Sequence, residues 1–235
     1  MKLMTFNTQH CWNYTEKYID YQVMADAIKA CAPDIVALNE MRDRGKSEAY
    51  APQAEILSKR TGIPYHYFAR AIYFKEENPY GNAILSRYPF ETVETIMIPD
   101  PNPRTGTRYY ETRCLLKATL ANGLTVLVTH FGLNRDEQLN AVETVLANLK
   151  DEKCILMGDF NVRPENPILE PIRARMKDAA ECFAEPLLSF PSDNPRSKID
   201  YIFVSPDIEL VEADIPAIVA ADHRPHTAVV KVPGL

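Results

Sequence analysis

Residues 153–167, KCILMGDFNVRPENP, join two kinds of chain with no polar transition between them. Cys154 to Met157 form a continuous apolar run, the pattern of a strand buried on both faces. Gly158, Asp159, Phe160 and Asn161 follow at once, so a carboxylate and a carboxamide stand two residues apart at a strand end. Alternation along the strand would put both on one side. The arrangement recurs. MTFN ends at Asn7, IVALNE at Glu40 and TVLVTH at His130; AADH sets Asp222 and His223 just ahead of the last strand, and SKIDYIF carries Asp200. Singly, each has an ordinary structural use, such as a turn cap, an exposed strand end or an Asx turn. Together they carry acid, amide or imidazole groups at six strand ends, where side chains from distant sequence converge in α/β sheets.

The chemistry that suits this set is hydrolysis assisted by a hard cation. Carboxylate and carboxamide oxygens are donors for Mg²⁺ or Mn²⁺, which bind through one or two carboxylates plus water and phosphate. Such an ion neutralises charge on a phosphate oxygen or a leaving group. A histidine oriented by a carboxylate acts as base or as charge stabiliser. The chain has no G-x-S-x-G, P-loop, G-x-G-x-x-G or H-E-x-x-H motif, so serine hydrolase, NTPase, Rossmann and zinc protease readings have no anchor.

The elements that must position these residues read as eleven strand-like runs: 2–7, 34–40, 64–74, 82–88, 90–98, 112–120, 124–131, 153–160, 198–205, 208–216 and 227–232. Helical stripes cover 17–31, with Pro33 at its exit, and 134–150, with Asn134 as N-cap and Asp136 and Glu137 in the first turn. Shorter helices are expected at 167–176 and at 52–61, the latter ended by Gly62. Ala121–Gly123 reads as a tight hairpin. Residues 98–109, with three prolines and a glycine, read as an exposed loop of the kind that contacts substrate. No linker divides the chain, so residues 1–235 are expected to form one domain. Its fold class is α/β, a four-layer sandwich of two packed mixed sheets flanked by helices.

Length and composition agree: 235 residues, 46% hydrophobic and 25% charged, are those of a globular chain with a large core. The net charge is −6 and no basic tract is present, which argues against generic binding to a nucleic acid backbone. The five cysteines are scattered without zinc spacing and read as reduced core residues. With neither a leader pattern nor a membrane-spanning apolar run, the expected location is cytoplasmic, an exported form being open if a leader has been removed.

TFN, DIVALNE, YGNAILSRYP, THFGLNRDEQ, GDFNV, SKIDYIFVS and ADHRPHTAV occur in the order and spacing of the endonuclease/exonuclease/phosphatase superfamily, the deoxyribonuclease I-like proteins. The resemblance runs from residue 3 to about 230, and the compact bacterial metal-dependent hydrolases of that superfamily are the most similar. It implies Glu40 as main metal ligand with Asn7 beside it and Asp222 at the metal edge. It implies that Asp159 activates the attacking water or holds the metal through it, and that Asn161 holds phosphate and nucleophile. His223, steered by Asp200, would contact the scissile phosphate, with His130 steadying the phosphoryl oxygens. Either Asp159 or His223 could be the base. Asn82 and Arg113 would line the cleft. Asn134, in the THFGLNRDEQ motif, and Trp12, a lid stacking on a base or sugar or else a packed loop residue, complete the substrate-binding set.

The expected function is therefore Mg²⁺- or Mn²⁺-dependent phosphoester hydrolysis by in-line water attack on a small-molecule or lipid-headgroup phosphate. The alternatives are an endonuclease or exonuclease on DNA or RNA, which would use the basic loops RDRGK (42–46) and RTGTR (104–108), and a non-catalytic binding domain. The expected partner is a phosphate-containing substrate, with no stable membrane insertion and no obligate protein partner.

Overall fold

The structure is a computed structural model and describes residues 1–234. Its strands are β1 (Lys2–Asn7), β2 (Ile35–Arg42), β3 (Tyr65–Phe74), β4 (Asn78–Ser86), β5 (Phe90–Met97) and β6 (Cys114–Leu120). They continue as β7 (Thr125–His130), β8 (Cys154–Asp159), β9 (Lys177–Asp178), β10 (Asp200–Val204), β11 (Glu209–Asp214) and β12 (His226–Lys231). The helices are α1 (Tyr21–Cys31), α2 (Gln53–Thr61), α3 (Arg135–Asn148) and α4 (Glu170–Arg173). The strands form two six-stranded sheets, ordered β11-β12-β1-β2-β4-β3 and β5-β6-β7-β8-β10-β9.

Each sheet is antiparallel except at its central pair, β1/β2 in one and β7/β8 in the other. A parallel pair needs a crossover, and α1 and α3 supply it. The two sheets pack face to face through Leu3, Ile35, Ala37 and Ile84 on one side and Leu116, Val128, Ile155 and Met157 on the other. The outer face of the first sheet is covered by Met24, Ile28 and Leu57 of α1 and α2, and that of the second by Val142 and Val145 of α3. Helix, sheet, sheet, helix are the four layers, and the central strands carry mostly apolar residues up to their site-bearing ends because both their faces are buried.

Several boundaries differ from the sequence reading for local reasons. Helix α1 starts at Tyr21 because Asp20 caps it, accepting from the backbone N–H groups of Gln22 (2.9 Å) and Val23 (3.2 Å). The expected helix at 167–176 is a 3₁₀ turn at Pro167–Leu169 followed by the single turn α4, with Pro171 inside it. β4 begins earlier than the pattern suggested, at Asn78, and is buried along its whole length. The loop that follows β5 is tied to the first turn of α3: the Asp136 carboxylate accepts from Thr105 N–H (2.8 Å) and Tyr110 O–H (2.7 Å). No described helix is long and apolar enough to cross a membrane.

Candidate active site

The two central parallel pairs end side by side, and their last residues build the site. In β2 the pairing with β4 shifts between Leu38 and Met41, so Asn39 and Glu40 together oppose Asn82. This β-bulge re-aims both side chains. Glu40 takes φ 61°, a left-handed conformation costing a long side chain about 1–2 kcal/mol, held in place by the strands around it. Asn39 turns between the sheets. Its Nδ2 donates to Asn82 Oδ1 (2.8 Å) and to Thr129 O (2.9 Å), while its Oδ1 accepts from Asp159 N–H (3.0 Å). One buried carboxamide thus links β2, β4, β7 and β8.

Asp159 ends β8 and is 1% exposed. The preceding Gly158 makes its position attainable: φ is 147°, and a Cβ there would lie 1.9 Å from Thr129 O of β7. Asp159 Oδ2 accepts from Asn7 Nδ2 (3.0 Å) and lies 3.5 Å from His130 Nε2 and 3.6 Å from His223 Nε2. Its Oδ1 accepts from Asn161 N–H (2.8 Å). Burial raises this carboxyl to about 7, against the lowering pull of His223 and of the N–H donors. Asp159 and Asn161 do share one side, but alternation is not the cause. The strand has ended at Asp159, and Asn161 is brought round by an Asx turn with φ 52°.

Asn7 Nδ2 also donates to Glu40 Oε1 (3.0 Å), so both carboxylates lean on one amide nitrogen. Its Oδ1 accepts from Gln9 N–H (3.1 Å), which fixes the amide orientation. Asn7 thus bridges Glu40 and Asp159 through its amide nitrogen, beside Glu40 as the sequence reading placed it.

His223 is buried, with Nδ1 2.8 Å from Asp200 Oδ2. Burial pushes its pKa down, but Asp200, Asp159 and Asp222 together raise it to about 10. Its imidazolium therefore presents Nε2–H towards Asp159. Asp222, next in the chain, is raised to about 6 by burial, with Glu40 and Asp200 adding to that rise and His223 opposing it. Asp200 Oδ1 and Asp222 Oδ1 are buried without a hydrogen-bond donor. Three carboxylates (Asp159, Asp200 and Asp222) thus surround one imidazolium, with Glu40 beside Asp222 as a fourth, an acid excess that fits a hard divalent cation. Ligand atoms of Asp159, Asp200 and His223 lie within 4.8 Å of one another. A protonated imidazole has no lone pair to offer, so the carboxylates are the better ligands.

His130 completes the cluster. Arg113 Nη1 donates to its Nδ1 (2.8 Å), and because Arg is always a donor, the ring proton resides on Nε2. Burial, with Arg113 and His223 nearby, holds its pKa well below the usual value, so it is neutral. Arg113 is itself paired with Glu111, Nη1 to Oε1 2.5 Å, a charge contact without hydrogen-bond alignment. Asn161 Nδ2 donates to Phe131 O (2.9 Å) and touches His130 Nε2 (3.2 Å).

Residues 4–223 match the model of the endonuclease/exonuclease/phosphatase family. The chain belongs to that family. It is 24% identical over 221 residues to the uncharacterized protein YbhP of Escherichia coli (strain K12), covering 86% of this chain and 84% of that protein. Among solved structures it is similar to an endonuclease/exonuclease/phosphatase from Beutenbergia cavernae DSM 12333, with TM-score 0.78, 21% identity and coverage of 100% of this chain and 72% of that one. It is also similar to the mannosyl-6-phosphatase Bt3783 of Bacteroides thetaiotaomicron VPI-5482, with TM-score 0.78, 14% identity and 98% and 99% coverage. These likenesses carry the two-sheet fold, and members of the family are phosphoester hydrolases that typically depend on a divalent metal.

Within this family member, Asn7, Glu40, His130, Asp159, Asn161, Asp200, Asp222 and His223 converge. Two expected substrate contacts, Asn82 and Asn134, spend their side chains elsewhere. Asn82 is buried and uses its amide on Asn39 and on Cys114 O (3.0 Å), joining the sheets. Asn134 spends its side chain on the 105–111 loop, accepting from Arg108 N–H (2.8 Å) and donating to Glu137 Oε2 (2.7 Å). Trp12 closes the strained turn after Asn7, its backbone pairing with Ile19 and its ring 6.1 Å from that of His10. Arg113 does reach the cluster, through His130. Sequence reading missed Asn39 and Glu111. Asn39 stood in plain view beside Glu40, but regular alternation would have turned it to the far face.

Proposed function

We propose that the protein is a Mg²⁺- or Mn²⁺-dependent phosphoester hydrolase acting on a small-molecule or lipid-headgroup phosphate. One observation carries the reading: Asp159 Oδ2, buried, lies 3.5 and 3.6 Å from the Nε2 atoms of two histidines, one ring held by Arg113 and the other by Asp200. With its pKa near 7, Asp159 suits the role of base that takes a proton from the attacking water. His223, kept protonated by Asp200, suits donation from Nε2 to a phosphoryl oxygen rather than the role of base. Neutral His130 offers a second N–H, aimed by Arg113. Asn161 holds its amide beside them, and Asn7 keeps the Glu40 and Asp159 carboxylates from separating. Glu40 and Asp222 would hold the divalent cation, whose contribution when bound is to neutralise charge on the phosphate. The mannosyl-6-phosphatase activity named for Bt3783 supports a phosphorylated small molecule as the substrate class, as does the net charge of −6.

The test is hydrolysis of bis-p-nitrophenyl phosphate with Mg²⁺ or Mn²⁺ and with EDTA, for wild type and Glu40→Ala. Turnover that needs the metal and falls at least about 100-fold in Glu40→Ala is the expected result. Metal-independent turnover, or full activity in the variant, would refute the assignment. Nicking of supercoiled plasmid in the same tubes would transfer it to nucleic acid.

A further inference from the structure

A cavity of about 440 Å³ lies next to the catalytic cluster in the chain but contains none of its side chains. Arg163–Glu165, shortly after Asn161, form one wall, and Arg196–Lys198, leading into β10, form another. The loop with Phe183 and Leu188 makes the third, largely apolar side. One β-bridge ties the cavity to the site: wall residue Ser197 pairs with Phe190, whose ring packs 4.8 Å from that of His223.

The charge of this wall is opposite to that of the chain. Arg163, Arg196 and Lys198 line it against Glu165 and Glu185, an excess of one cation in a protein of net charge −6. Among the described residues, the side chains of Arg163 and Arg196 form no ion pair or hydrogen bond. Lys198 is 4% exposed, yet its Nζ has no hydrogen-bond acceptor. The Asp178 carboxylate stays 3.7 Å away, and the nearest compensation is the face of Tyr201, its ring centroid 3.3 Å from Nζ. Lys198 Nζ is itself fully buried and within ion-pair reach of Asp178, so it adds positive charge behind the wall, and the unpaired guanidinium groups of Arg163 and Arg196 are the ones an entering anion would meet. The volume is that of a small-molecule site, and the apolar loop asks for more than an inorganic ion.

We infer that this cavity receives the non-reacting part of the substrate, an organic anion that joins an apolar body to a carboxylate, sulfonate or second phosphate. The inference rests on the phosphoester-hydrolase reading for the identity of the reacting group. The phosphoester then sits at Asp159 and His223, while Arg163 and Arg196 hold the distal anion, with the buried Lys198 adding positive charge behind them.

Two diesters separate the claims: phenyl 4-nitrophenyl phosphate and 4-carboxyphenyl 4-nitrophenyl phosphate, with wild type and the exposed double variant Arg163→Ala/Arg196→Ala. The expected result is about a tenfold higher kcat/KM for the carboxylated ester, abolished in the double variant while turnover of the phenyl ester is unchanged. Turnover without that preference, or a preference that survives the double substitution, overturns the inference and leaves the hydrolase reading intact. If neither ester is turned over, the hydrolase reading fails and the cavity is judged by fluorescence titration with 8-anilinonaphthalene-1-sulfonate. Saturable binding weakened about tenfold in the double variant supports the anion site; the absence of such binding, or equal binding in both proteins, overturns it.

Discussion

Asn39→Ala should be more damaging than an ordinary asparagine substitution, because three buried groups lose their partner at once. Asn82 Oδ1 and Thr129 O lose a donor, and Asp159 N–H loses its acceptor. At a net contribution near 1 kcal/mol per bond, the loss is about 3 kcal/mol. In a chain of this length each kcal/mol moves the melting midpoint by about 2–4 °C, so Tm should fall by about 6–12 °C. Asn140→Ala is the control, since it removes one surface bond, to Pro99 O at 2.8 Å, and should cost under about 1 kcal/mol. Urea melts of both variants followed by circular dichroism, in EDTA, give the comparison. Because Asp159 is also released, kcat/KM should drop further than stability alone explains. A loss below about 1 kcal/mol in Asn39→Ala, or one equal to that of the control, would show that the sheets do not depend on this side chain.

Three further outcomes follow from the same contacts. In Asp200→Asn, the imidazolium of His223 loses its leading counter-charge, so its pKa should fall by about 1–2 units from its raised value, and the alkaline limb of the pH–rate profile should move down with it; an unmoved limb would remove Asp200 from the role. His226 is fully buried with its pKa held well below the usual 6.5 by burial and Lys198, so below pH 6.5 the unfolded chain takes up a proton the folded one does not. Its contribution is complete above 6.5 and declines as pH falls, so the stability gap between wild type and His226→Gln should narrow by about 1.4 kcal/mol per pH unit in urea melts; a constant gap would contradict the buried neutral ring. Gly158→Ala should destabilise by more than about 3 kcal/mol, read by thermal melting, since the new Cβ would meet Thr129 O at 1.9 Å and the backbone is at φ 147°; a near-native Tm would mean that β7 and β8 can separate at no cost.

The candidate site was legible because its members are chemically out of place: acids, amides and imidazoles ending apolar runs. Their relative geometry was less so. Asn39 and Glu40 are adjacent, and regular alternation would put them on opposite faces; the bulge that lets one join the sheets and the other face the cluster leaves no mark in residue types. Glu111 escaped notice because its partner, Arg113, is local while its relevance comes from His130 on another strand. Asn82 and Asn134 show the converse. Both sit in motifs beside the site, but their amides are consumed by a sheet-to-sheet bond and by a loop anchor, uses that sequence position alone does not distinguish from substrate contact. The helix expected at 167–176 is divided and shortened: a 3₁₀ turn at Pro167–Leu169 runs into the single turn α4, whose Pro171 lacks the N–H that would have continued the bonding from Pro167.

Neither sheet can build the cluster by itself. Each contributes one parallel pair, and a parallel pair is the only place in either sheet where two neighbouring strands finish at the same edge. Asn7 and Glu40 arrive on the first pair and His130 and Asp159 on the second, and the bonds that align them cross the gap: Asn7 Nδ2 to Asp159, Asn39 to Asp159 N–H and Thr129 O. The inner core of Leu3, Ile35, Val128 and Met157 beneath them therefore sets the distances within the cluster as well as stability, since sliding one sheet by a residue would break every one of these bonds together. That coupling accounts for the concentration of strain here, with Glu40 and Asn161 in left-handed conformations and two carboxylate oxygens left without donors. The packed sheets over-determine a geometry that the cluster's own acid–acid repulsion would otherwise open.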